Sequence, residues 1–122
     1  GNIYALSSNG TTYYIGGTIR DKYESLNGPD GILGVPTADM QTITGGWKST
    51  FKNGTIYCQT SSPAYYVKGA ILAKYQSLGE TTSSLGFPTS DEQTLSWGWE
   101  NTFQHGTISY NSSTGVTTVQ YT

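Results

Sequence analysis

Ile19, Tyr23 and Leu26 stand at i, i+4 and i+7, and Ile71, Tyr75 and Leu78 repeat that spacing. Each triplet marks one face of a short amphipathic helix. Asn27-Gly28 and Gly79 follow where a left-handed C-terminal cap is wanted, so each helix is expected to end after about two turns. The period then changes. Trp47, Ser49 and Phe51 alternate with Lys48, Thr50 and Lys52, which is the pattern of a strand. Asn53-Gly54 predicts the positive-φ pair of a two-residue hairpin turn, a place taken by His105-Gly106 further on. The strand through Ile56 runs into a Ser/Thr/Pro turn and returns through Tyr65-Tyr66-Val67, so the expected unit is a helix, a loop and a three-stranded meander.

That unit occurs twice. Leu33 and Leu85, Tyr23 and Tyr75, and Phe51 and Phe103 are each 52 positions apart, and the intervening motifs agree in order: Gly17 through Leu26 with Gly69 through Leu78, Leu33-Gly34-Val35-Pro36-Thr37 with Leu85-Gly86-Phe87-Pro88-Thr89, Asp39 with Asp91, and Gly54-Thr55-Ile56 with Gly106-Thr107-Ile108. Gly1-Asn2-Ile3-Tyr4, followed by Tyr13-Tyr14-Ile15, matches Gly54-Thr55-Ile56-Tyr57 followed by Tyr65-Tyr66-Val67 and opens the chain as a partial third copy. The expected organisation is one domain over residues 1–122, with a partial copy at 1–16 and repeats at 17–68 and 69–120. A period near 50 signals a supersecondary unit that buries its apolar face only beside neighbours, so a pseudo-symmetric, propeller-like arrangement is expected.

Composition narrows the function classes. Charged residues make up 11% of 122, against about 25% in ordinary soluble domains. Polarity therefore comes from hydroxyls, amides and 10 tyrosines. With 6 Lys+Arg, 8 Asp+Glu and no basic cluster, the chain lacks the charge to neutralise a run of phosphates, which argues against nucleic acid. No apolar run approaches the length of a membrane span and no charged-then-apolar leader opens the chain, so no membrane partner is expected. Gly1 in place of Met leaves open either a removed leader or a cut from something longer. A single cysteine, Cys58, excludes an internal disulfide and a multi-thiolate zinc site, and reads most simply as a small buried hydrophobe.

The residues give little support to catalysis. His105, the lone histidine, occupies a hairpin-turn position rather than lying beside a nucleophile. The carboxylates Asp39, Asp91, Glu80, Glu92 and Glu100 form no recognisable acid–base pair, and no spacing suits a metal or a cofactor. Asp39 and Asp91 recur with the repeat, so each is expected to do a job once per unit. Thr89-Ser90-Asp91-Glu92 has the form of a helix capping box, with Met40 in place of the Glu in the first copy; ligand contact is the other reading of the two aspartates. The aromatics are more informative. Trp47 and Trp99 are equivalent, Trp97 is additional, and Tyr13-Tyr14 matches Tyr65-Tyr66. One Tyr of each pair is expected to enter the core while the other faces out. Exposed rings suit the faces of sugars and protein interfaces alike. Sequons at Asn9, Asn53 and Asn111 fall in expected turns and point weakly to a secreted protein.

Leu85-Gly86-Phe87-Pro88-Thr89-Ser90-Asp91-Glu92 resembles the LGFP-repeat family, named for that tetrapeptide. Upstream, Gly69-Ala70-Ile71, Lys74-Tyr75 and Leu78-Gly79 are similar to the family pattern, as are Gly98, Phe103 and Gly106-Thr107-Ile108 downstream. The first copy departs at Asn27, Val35 and Met40, and the last hairpin at Ser109. Such repeats occur in secreted actinobacterial and fungal proteins, often beside cell-wall or carbohydrate-active domains. The resemblance implies a non-catalytic carbohydrate or cell-wall polysaccharide-binding module or lectin, in a secreted, extracellular or wall-associated setting. Trp47, Trp97, Trp99, Asp39, Asp91, Tyr14 and Tyr66 are the candidate contacts. The rival classes are a secreted protein-interaction module acting as effector or inhibitor, and a small glycoside hydrolase. Unequal ends and scarce charge to blunt edge strands lead to the expectation of a homodimer or larger homo-oligomer.

Overall fold

The two apolar triplets do form helices. In the computed structural model, which describes residues 3–4 and 13–122, α1 spans Gly17–Ser25 and α2 spans Gly69–Leu78. Ile19, Tyr23, Ile71 and Tyr75 are buried, while Leu26 and Leu78 stay half-buried at the last turn. Asn27 (φ 72°) and Gly79 (φ 107°) take the left-handed conformation that stops each helix, and single 3-10 turns follow at Gly28–Asp30 and Glu80–Thr82.

The chain forms two compact units, Gly1–Ala64 and Tyr65–Thr122. In the first, β1 (Ile3–Tyr4) pairs antiparallel with β2 (Tyr13–Tyr14), and after α1 the strands β3 (Gln41–Ile43), β4 (Gly46–Phe51) and β5 (Gly54–Gln59) form an antiparallel ladder. The next strand in that sheet, β6 (Ala64–Lys68), carries the chain into the second unit. There α2 is followed by β7 (Gln93–Leu95), β8 (Gly98–Phe103), β9 (Gly106–Asn111) and β10 (Thr117–Tyr121), antiparallel and in sheet order 10-9-8-7. The protein is thus mainly β, with two four-stranded sheets and two short helices. The three-stranded meander expected from sequence lacks β3 and β7. Those three-residue strands are largely exposed and carry no apolar alternation to betray them.

The hairpin turn also differs from its expectation. Phe51 pairs with Gly54 and Phe103 with Gly106, so the two-residue loops are Lys52-Asn53 and Gln104-His105, one position earlier than expected. None of these four residues has positive φ. The loops are held from outside instead. The N–H groups of Lys52 and Asn53 donate to the carbonyls of Val35 and Leu33 (both 2.9 Å), and those of Gln104 and His105 donate to Phe87 and Leu85 (both 3.0 Å). The Leu-Gly-x-Pro segment therefore lies against the hairpin tip and continues alongside it through Pro36–Phe51 and Pro88–Phe103 bridges.

The same segment ties the helix to the sheet. The hydroxyl of Tyr23 donates to the Gly34 carbonyl and that of Tyr75 to the Gly86 carbonyl, both at 2.6 Å. Each tyrosine ring lies on the phenylalanine of the hairpin, with centroids 4.4 Å apart for Tyr23–Phe51 and 4.6 Å for Tyr75–Phe103. Gly34 and Gly86 (φ 77° and 76°) provide the left-handed bend that aims their carbonyls at the phenols, a conformation costly for any residue with a Cβ. Ile15, Ile19, Leu33 and Ile56 complete the first core, and Val67, Ile71, Leu85 and Ile108, each 52 positions on, complete the second.

Two further expectations fail. No helix begins at Thr89, so the capping box is not one: the Thr89 N–H donates to the Thr102 carbonyl (2.8 Å) and the chain goes straight into β7. Nor does either Tyr of a pair enter the core. Tyr13, Tyr65 and Tyr66 are half-buried and Tyr14 is exposed, because the inward position is the aliphatic residue that follows, Ile15 or Val67. Of the sequons, Asn53 is exposed in its loop, Asn111 uses its side-chain oxygen to accept from the Ser113 and Thr114 N–H groups, and Asn9 lies outside the described residues.

Candidate functional site

The N-terminal end of each helix meets the sheet of its own unit, and a cleft opens at the junction. In the first unit the cleft holds about 380 Å³ between Gly16–Ile19 at the start of α1, Tyr14, Met40, Trp47 and Cys58. In the second it holds about 230 Å³ between Lys68–Ile71 at the start of α2, Glu92, Trp99 and Tyr110. Every residue lining the second cleft stands 52 positions after one lining the first, so the clefts recur with the repeat.

Register explains the wall that matters most. Trp47 is paired with Cys58 across β4 and β5, and Trp99 with Tyr110 across β8 and β9. Side chains of such pairs stand together on one face of the sheet. In the second unit the Trp99 and Tyr110 rings stack, with centroids 5.7 Å apart and planes 20° from parallel. In the first, the small Cys58 leaves that place open, and the cleft is the larger of the two. Cys58 is buried, as expected of a small hydrophobe; burial pushes its thiol pKa up and a hydrogen bond with Thr18 draws it partly back.

The clefts also differ in charge. The Lys68 ammonium lies 3.2 Å from the Glu92 carboxylate, whose side chain is only 10% exposed. The first unit has Gly16 and Met40 at these two positions, and among the described residues none that is charged lines its cleft. Burial, and then the charges of Glu92 and Asp91, push the Tyr66 phenol above its ordinary range.

The candidate residues separate into wall and frame. Trp47, Trp99 and Tyr14 line clefts, with Trp99 and Tyr14 exposed. Asp39 and Asp91 do the same job in each unit: Asp39 Oδ1 accepts from the Tyr14 N–H (2.8 Å) and Asp91 Oδ1 from the Tyr66 N–H (3.1 Å), fixing the strand that leads into the helix. Tyr66 stands beside the second cleft without forming its wall. Trp97 is exposed in the β7–β8 turn and is not among the residues lining either cleft; its carbonyl accepts from the Ser112 N–H (2.9 Å). Met40, Cys58, Lys68, Glu92 and Tyr110 also line the clefts although no motif marks them as contacts in the sequence; only the cross-strand pairing of each Trp points to Cys58 and Tyr110. Among the described residues no three His, Cys, Asp or Glu side chains gather as a metal site, and no helix is long and apolar enough to cross a membrane.

Comparison with known proteins agrees with the repeat. The LGFP repeat model matches residues 33–83 and 85–121, each match starting at the leucine of the Leu-Gly-x-Pro segment. No curated protein matches the chain. With most of its length covered by two successive matches in the register that the paired clefts and hairpin-bound loops also follow, the chain belongs to the LGFP repeat family.

Proposed function

We propose that this protein is a non-catalytic carbohydrate-binding module, a lectin for cell-wall or related polysaccharide, with one sugar site in each cleft. The observation that carries the reading is the recurrence of a Trp-walled cleft at equivalent positions in both units. An indole edge and face beside backbone amides and hydroxyls offers apolar contact and hydrogen bonding together, which is what a sugar ring presents. The reading accounts for the scarcity of charge, since neutral polysaccharide needs no counter-charge. The setting in which LGFP repeats occur supports it, and with it secretion and wall association. Two modest sites on one chain gain avidity when both engage the same polymer. The propeller-like arrangement of repeats belongs to the same proposal, and small-angle scattering tests it. A glycan array, followed by titration of tryptophan fluorescence with the strongest binder, tests the function: quenching that saturates supports it, and a blank array with no fluorescence change refutes it.

A second reading rests on single apolar residues exposed in the second unit: Trp97, Val116 and Tyr121 are 42%, 55% and 54% exposed. Such residues suit a protein partner or a second copy of the chain. Light scattering over a concentration series tests self-association: a mass that rises with concentration supports it, and a constant mass near 13.1 kDa refutes it.

A further inference from the structure

Resting on the sugar-binding reading, we infer that the two clefts take different sugars: the first an acyl-substituted residue, such as an N-acetylated hexosamine, and the second an unsubstituted, hydroxyl-dense one. The first cleft is the larger and is lined by Met40, Cys58, Ile19 and Trp47, apolar groups with no charge among them. A methyl group seated there leaves water for an apolar wall, and Cys58 provides the room that Tyr110 fills in the other unit. The second cleft is smaller, its Trp99 is already stacked on Tyr110, and the Lys68–Glu92 pair supplies an ammonium donor and a carboxylate acceptor. Those groups match a pair of neighbouring hydroxyls, whereas an acetyl methyl placed against them would desolvate charge without compensation.

The experiment is NMR of the 15N-labelled full chain, following the indole N–H signals of Trp47 and Trp99, assigned with single variants, during titration with triacetylchitotriose and with cellotriose. The expected result is that triacetylchitotriose moves the Trp47 signal at concentrations about fourfold or more below those that move Trp99, the factor expected for one buried methyl group, and that cellotriose reverses the order. Met40→Gln and Cys58→Tyr are both expected to erase the preference at Trp47; the first keeps the test usable should the second fail to fold. Equal response of both indoles to both probes overturns the inference and leaves the sugar-binding reading standing. No response of either indole to either probe also overturns it, and if a glycan array is blank as well, the reading beneath it falls too.

Discussion

The two units share a frame and differ in their clefts. In both, a helix tyrosine is hydrogen-bonded to the glycine carbonyl of a Leu-Gly-x-Pro segment, that segment holds a hairpin tip, and an aspartate fixes the strand before the helix. The residues on these contacts repeat almost one for one. Of the cleft linings only Gly17, Ile19 and Trp47 recur, as Gly69, Ile71 and Trp99, whereas Gly16, Thr18, Met40 and Cys58 give way to Lys68, Ala70, Glu92 and Tyr110. The frame is needed twice because each unit builds its own core from the same set of contacts. The clefts carry no such constraint, and there two different surfaces have been placed on one scaffold.

The comparison breaks most sharply at the bend glycines. Gly34→Val and Gly86→Val each force a β-branched residue into φ near +76°, and a Cβ at Gly86 would in addition run into Gln104 Oε1, the acceptor of the Phe87 N–H. Loss of about 2–4 kcal/mol is expected at Gly86, with a smaller loss at Gly34, where the Lys52 and Asn53 side chains lie farther off. Thermal unfolding measures both, and an unchanged melting temperature for Gly86→Val would show that the bend is not needed.

A second contrast lies at a buried position where the units differ inside the frame. Asn101 is fully buried and its Nδ2 donates to the carbonyls of Tyr66 and Ser90, both at 3.1 Å. Its counterpart Ser49 is also fully buried, yet its hydroxyl, like Asn101 Oδ1, has no hydrogen-bond partner among the described residues. Asn101→Ala should cost about 2–3 kcal/mol by stranding two carbonyls, while Ser49→Ala should be neutral or stabilise by up to about 1 kcal/mol. Denaturant unfolding separates them, and equal losses would contradict the assignment.

Tyr23→Phe and Tyr75→Phe each remove the helix-to-loop hydrogen bond and are expected to cost about 1 kcal/mol apiece, nearly equally, because the bond is the same length in both units. The smallest effect is on pH dependence. Burial, and then the charge of Glu80, raises the Tyr75 pKa, and Tyr66 is raised as well. Both phenols hold their protons more tightly folded than unfolded, so their contribution is complete below about pH 10 and is lost as pH rises beyond it. Unfolding free energies from pH 8 to 11 should fall only at the alkaline end, and Tyr75→Phe should flatten the fall.

The frame was legible in the sequence because it is made of residues whose spacing carries their role. The helix triplets, the left-handed stops at Asn27 and Gly79, the repeated Leu-Gly-x-Pro motif and the once-per-unit aspartates all follow from period and offset. What escaped depends on contacts between segments distant in sequence. The Asn53-Gly54 dipeptide suggested a self-contained turn, but carbonyls of the Leu-Gly-x-Pro segment hold the tip one residue earlier. Thr89 looked like a helix cap because local spacing does not reveal its cross-strand partner Thr102. Trp47 and Trp99 were found as equivalents, but the walls opposite them come from the ends of other elements and became visible only in three dimensions.

The central claim is that the paired clefts are the binding sites. Isothermal titration of the best array-selected glycan against the parent, Trp47→Ala, Trp99→Ala and the double variant tests it most directly. The account predicts that each single variant loses one class of site and that the double variant loses at least about tenfold in affinity while keeping its melting temperature within a few degrees. Parent-like affinity in a folded double variant would contradict it.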